Sequence, residues 1–191
     1  MPHLDAAAAG GLAPLYVRVL GARFDALPAA VRTLHDLRAP SAWTGRATVE
    51  RGPHPLARAI AWLSGLPPAG RDVPLRVTFT PADGREHWVR DFGGHIFRSV
   101  QVERGGLLCE RVGATTFAFA LEASPDGLAL RLAGLRVLGV PVPAALHPRI
   151  RTSESARDGR YHFEAESYLP RIGLLVRYAG WLDRTGAGCS A

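Results

Sequence analysis

Lysine is missing altogether from this chain of 191 residues, so all 23 basic residues are arginines. Against 17 acids they leave a formal charge of +6, which invites a nucleic-acid reading. The arginines are dispersed, however, most with an acid nearby, and codon bias is enough to produce such usage without any nucleic-acid partner. The longest acid-free span, Gly127 to Ser153, carries Arg131, Arg136, His147, Arg149 and Arg151 but no aromatic residue on which a base could stack. Nucleic acid is therefore not an expected partner. An anionic ligand or partner near that span fits better.

Cysteine is nearly as scarce. Two residues cannot build a disulfide framework. Cys109 reads as a core thiol within a strand and Cys189 as a tail thiol. Long apolar runs are absent too, and nothing approaches the roughly 18 residues that span a bilayer. The longest candidate, Val137 to Leu146, is interrupted by two prolines. The opening "MPHLDAAAAGG" has no basic segment and meets Asp5 early, unlike a secretion signal. A cytoplasmic location without a transmembrane segment is the expectation. The chain has no G-x-S-x-G elbow, and no G-x-G-x-x-G following a strand.

What is present is organised by period. "LAPLYVRVLGARFDAL" places Leu12, Leu15, Tyr16, Val19 and Leu20 on one helical face. "LPAAVRTLHDL" does the same with Leu27, Val31, Leu34 and Leu37; Pro28 suits its first turn and Pro40 stops it. The period then drops to two, giving a strand over Trp43 to Glu50. A third short helix follows in "PHPLARAIAWLSGLPP", with Leu56, Ile60 and Leu63 as its stripe and Gly65 and two prolines ending it. From Val73 onward about nine further strands alternate with Gly-Gly or Asp-Gly corners, which join antiparallel neighbours. The expected fold is α+β: a long antiparallel meander of about nine to ten strands curled into an open barrel or half-barrel. Two N-terminal helices and one helix after the first strand accompany it. Residues 1–10 read as a flexible N-terminus, 11–183 as one domain and 184–191 as a flexible tail.

One hairpin concentrates the candidate chemistry. In "REHWVRDFGGHIFRS" the pleat sets Trp88, Arg90 and Phe92 on one face and His87, Val89 and Asp91 on the other. The aromatics mark the buried side. Lone burial of a guanidinium is costly, so an inward Arg90 needs a carboxylate or an anionic ligand; the alternative is an arginine whose stem covers the aromatics while its head reaches water. His87, Asp91 and His95 make a poor metal site, because positions four apart on a strand face lie about 13 Å apart. A solvated hairpin is the simpler reading, and neither metal nor cofactor is expected.

"LLVRYAGWLD" repeats the theme with Arg177 and Trp181 on one face. If the sheet curls far enough, Trp88, Arg90, Arg177 and Trp181 form an arginine–aromatic set able to hold a flat or anionic ligand; otherwise they pack as ordinary structure. His162, Glu164 and Glu166 share a strand face that reads as solvated. "LGVPVPAALHP" is a stiff apolar loop, suited to binding something or to lying as a lid against the sheet. No convergent nucleophile and base appear, so catalysis ranks third, behind ligand binding and docking.

The segments "LHDLR", "GRATVERG", "PPAGRDVPLRVTF", W-x-R-x-F-G-G-x-x-F-x-S (Trp88 to Ser99), "LGVPVP" and P-x-x-G-L-L-V-R-Y-x-G-W-L (Pro170 to Leu182) together resemble a bacterial domain of unknown function. The resemblance runs from about Leu15 to Leu182. It implies a domain found alone or fused behind saccharopine-dehydrogenase-like or epimerase-like NAD(P)-binding domains. Hence a reductase-like partner is possible, and no catalytic residue carries over. The leading reading is a small, partly apolar ligand, neutral or anionic, held in a groove or cavity of the curved sheet; the alternative is a non-catalytic accessory domain. Arg90→Ala is expected to weaken ligand binding with little unfolding.

Overall fold

The computed structural model describes residues 12–185; of the stretches expected to be flexible, 1–10 and all but the first two residues of 184–191 lie outside the described residues, as does Cys189. Helix α1 (Leu15–Leu20) runs into a 3-10 segment (Gly21–Ala26), followed by α2 (Ala29–His35). Strand β1 (Ser41–Arg51) and helix α3 (Pro55–Leu63) come next. Then follow β2 (Gly70–Ala82), β3 (Arg85–Phe92), β4 (His95–Arg104), β5 (Leu107–Val112), β6 (Thr115–Ser124) and β7 (Gly127–Val137). A two-residue strand β8 (Val140–Pro141) and a 3-10 turn (Ala144–Leu146) lead to β9 (Arg149–Arg157), β10 (Arg160–Leu169) and β11 (Gly173–Arg184).

All neighbouring strands are antiparallel, and the order is that of the chain. Because β1 pairs with both β2 and β11, and β7 with both β6 and β9, ten strands close into a barrel with β8 appended to β7. The wall is closed rather than open or half-open. Period-two alternation supplies its inner face: Leu75, Val77 and Phe79 on β2, Trp88 and Phe92 on β3, Leu128 and Leu130 on β7 are all buried. The corners follow the expected chemistry. Asp83-Gly84 and Asp158-Gly159 take positive φ at both positions, as the tight two-residue hairpin turn requires.

The seam between β1 and β11 is unusually close. A Cβ at Gly45 would run into the Trp181 carbonyl, and one at Gly180 into that of Arg46. β11 extends through Arg184, which pairs with Trp43, so the wall reaches one residue into the stretch expected to be tail.

Helices α1 and α2 stop one end of the barrel. Leu15, Tyr16, Val19, Leu20, Val31 and Leu34 are buried against the strand ends there. Leu12 does not join them: Pro14 caps α1, and Leu12 is 70% exposed. The first of the two expected helices, over "LAPLYVRVLGARFDAL", ends as an α-helix at Leu20, because Gly21 takes a φ of 57° outside helical space.

At the other end, α3 departs from expectation more instructively. Its buried residues are Ala57 and Ala61, whereas Leu56 and Leu63 are exposed. Small side chains let the helix lie close to β11, and the larger apolar ones turn outward.

Candidate functional site

Inside the barrel is a cavity of about 350 Å³, stopped below by the helices and reaching toward the end where α3 sits. Its wall is mostly apolar, with Val77, Phe97, Phe119, Leu130, Phe163 and Tyr178 drawn from six strands. Residues Leu63, Ser64, Gly113, Ala114 and Pro148 bound its mouth.

Arg90 enters this cavity from β3, on the face that alternation assigned to it. Its Nη1 donates to Ser99 Oγ at 2.9 Å and its Nη2 to Glu110 Oε1 at 3.2 Å. The guanidinium lies 4.6 Å from the centre of the Trp88 ring and 5.6 Å from that of Phe97. Of the partners the sequence allowed, the structure supplies the carboxylate: Glu110, reached from β5 across β4. Both side chains are largely buried, at 13% and 15% exposed. Burial makes the mutual attraction stronger than at a surface and the loss of either partner costly.

Deeper, a second polar group meets the helices. His35 at the end of α2 is fully buried, and its Nε2 donates to Glu154 Oε2 on β9 at 2.5 Å. The Tyr16 ring stacks on His35 at 3.7 Å between centres, and the Tyr16 hydroxyl donates to Gln101 Oε1 at 3.1 Å. Burial pushes the Tyr161 phenol well above its ordinary range, and the neighbouring Glu154 carboxylate adds to the effect. Beside them Glu86 is 1% exposed and accepts from Trp88 Nε1 at 3.0 Å. Burial raises the Glu86 carboxyl, opposed by that hydrogen bond and by His35 nearby. Glu86 Oε1 and His35 Nδ1 have no partner among the described residues. This floor cluster largely escaped sequence reading. The one local hint for His35 is a histidine among the apolar positions of α2; its partner lies 119 residues away.

The other expected site residues are placed elsewhere. Arg177 and Trp181 lie on the outer face of β11, separated by the wall from Arg90 and Trp88. Arg177 donates to Glu164 on β10 through Nε and Nη2, at 3.0 and 2.5 Å, and the Arg160 guanidinium covers the Trp181 ring at 4.6 Å. The four residues are thus two pairs, one within and one without. In the hairpin, Asp91 Oδ1 accepts from Gly94 N at 2.6 Å, His95 Nε2 meets the Gly65 carbonyl at 2.8 Å, and His87 is exposed. Cys109 alternates with the inward Leu108 and Glu110, so it sits half-buried on the outer face rather than in the core. The apolar loop after β7 is no tucked lid: Leu138 is 81% and Leu146 63% exposed.

A closed ten-stranded antiparallel barrel, stopped at one end by helices and hollow behind the other, defines the class of fold and site. The chain belongs to a family described as Domain of unknown function (DUF4166), whose model matches residues 27–182. No curated protein and no solved structure matches it. Among the described residues no helix is long and apolar enough to cross a membrane, and no three His, Cys, Asp or Glu side chains converge as a metal site would need.

Proposed function

We propose that the barrel is a carrier or sensor of a small, largely apolar ligand held in its cavity. The observation that carries this reading is the interior itself. A closed wall of ten strands leaves about 350 Å³ lined by aromatic and aliphatic side chains, the size and character of a small-molecule site. The cation and two of the carboxylates that line the cavity are already matched. Arg90 is held by Glu110 and Ser99, and Glu154 by His35. That favours a ligand without net charge over an anionic one, since among the described residues no interior cation is left to meet an anion. Trp88 and Arg90 are the expected contacts at mid-depth; Arg177 and Trp181 take no part.

The test uses the uncharged fluorophore N-phenyl-1-naphthylamine as probe and Ala165→Phe as the variant that fills the cavity. Ala165 lines the chamber on β10. The native chain should enhance probe emission, and the filled variant should bind at least about tenfold more weakly while melting within a few degrees of the parent. Equal binding by both chains would place the probe outside the cavity and overturn the reading. If neither binds, a docking role beside a reductase-like NAD(P)-binding partner becomes the better account.

A further inference from the structure

The two ends of the barrel differ sharply in surface chemistry. Of the ten exposed large hydrophobic residues among the described ones, nine lie on segments that turn at the mouth; only Leu12 lies at the stopped end. They come from four separate segments: Leu56, Trp62 and Leu63 on α3, Ile96 at the start of β4, four residues between Val137 and Leu146, and Tyr168 at the end of β10. Trp62, Leu63 and Leu138 are 79%, 75% and 81% exposed, values unusual for such side chains in water. Helix α3 adds to this, since it buries alanines and presents its large apolar side chains outward.

Charge follows the same division. The mouth segments (50–73, 91–96, 111–116, 136–150 and 168–174) hold seven arginines and three carboxylates. The segments at the stopped end (14–44, 80–87, 101–107, 121–128, 154–161 and 182–185) hold nine arginines and ten carboxylates. The mouth is therefore the positive pole of the molecule. Beside α3 a shallow groove is lined by Arg51, Arg58, His95 and Trp62, with no acid among its lining residues. Arg51 is oriented there by the Leu66 and Pro67 carbonyls, which leave its charge unneutralised.

We propose that the mouth docks on an anionic lipid bilayer. Trp62, Leu63, Leu138 and Leu146 enter the boundary between headgroups and acyl chains, and the arginines meet the headgroups. Apolar points alternating with arginine around an opening suit that boundary, where tryptophan also settles. A protein partner or a second copy would seal the opening, whereas a bilayer presents an apolar guest to it directly. This rests on the cavity reading for its purpose, though the docking itself is measured without any guest.

The full chain is floated with vesicles of phosphatidylcholine alone or with 30% phosphatidylserine (roughly the anionic share that gives a negative surface). Binding is expected to the anionic vesicles only and to weaken with salt. Tryptophan emission should shift to the blue and be quenched by bromine-labelled acyl chains, and Trp62→Phe should remove most of that response, since Trp43 and Trp88 are buried in the barrel. Arg58→Ala should lower partition about fivefold and Leu138→Asp by more. Both positions are exposed, and an unchanged melting temperature verifies each fold. Absence of binding to anionic vesicles, binding untouched by both variants, or a solution dimer that shields Trp62 from aqueous quenchers would each overturn the proposal. Binding of N-phenyl-1-naphthylamine measured without vesicles keeps the fate of the cavity reading separate.

Discussion

Arg90 lies between Trp88 and Phe97 with Glu110 at its head, and that geometry changes what its removal should do. Arg90→Ala leaves a mostly buried carboxylate without its partner, so it should cost roughly 3 kcal/mol in denaturant unfolding rather than spare the fold. The double variant Arg90→Met with Glu110→Leu should recover most of that loss; if it is no more stable than Arg90→Ala, the pair is not a coupled unit. Glu86 supplies a second residue-scale prediction. Its carboxyl is raised by burial, so the folded state holds a proton that the unfolded chain gives up. The corresponding stability is present below the ordinary carboxylate range and is lost as pH rises through the raised value. Glu86→Gln should therefore flatten the melting-temperature profile above pH 4 and raise it near neutrality; an unchanged profile would contradict this. At this scale the inward arginine was legible, because Trp-x-Arg-x-Phe in a period-two strand leaves it no other face. Glu110 was not, since the pairing crosses a whole intervening strand and follows from the barrel's curvature, which no local pattern encodes.

Among the elements, the seam between β1 and β11 is the point where closure is decided. Gly45→Ala should cost about 2–3 kcal/mol, because the added methyl meets the Trp181 carbonyl rather than a movable side chain. Gly134→Ala on β7 makes only an ordinary contact with Ala118 Cβ at 3.6 Å and should stay within about 0.5 kcal/mol of the parent. Chemical denaturation of both variants checks the contrast; equal losses would mean that seam contact is not the cause. The strands and corners were readable because each is specified locally, by alternation and by residues that tolerate positive φ. Helix α3 was found but turned the wrong way. A hydrophobic stripe predicts burial only when the space beneath it is wide enough, and here close approach to β11 selected Ala57 and Ala61. Gly21 likewise divides what periodicity alone presents as one helix.

At the scale of the whole molecule, ten antiparallel strands joined in chain order have two possible outcomes, an open sheet or a ring. A closed ring removes the unpaired edges that would template aggregation. Its interior then depends on how much side-chain volume ten strands supply. The aromatic and aliphatic inner face was visible in the sequence, but the residual chamber was not, because it depends on barrel radius and on how far α1 and α2 enter one end. The polarity between a stopped, charge-balanced end and an apolar, arginine-rich mouth emerges only when distant turns are gathered by topology. The central claim is that the chamber is real and apolar, and xenon tests it most directly, since the gas enters dry cavities and little else. A crystal of the full chain equilibrated under xenon should show electron density within the barrel, bounded by Val77, Phe97, Phe119 and Leu130. A barrel whose interior is filled by its own side chains, with xenon only at the surface, would contradict the account.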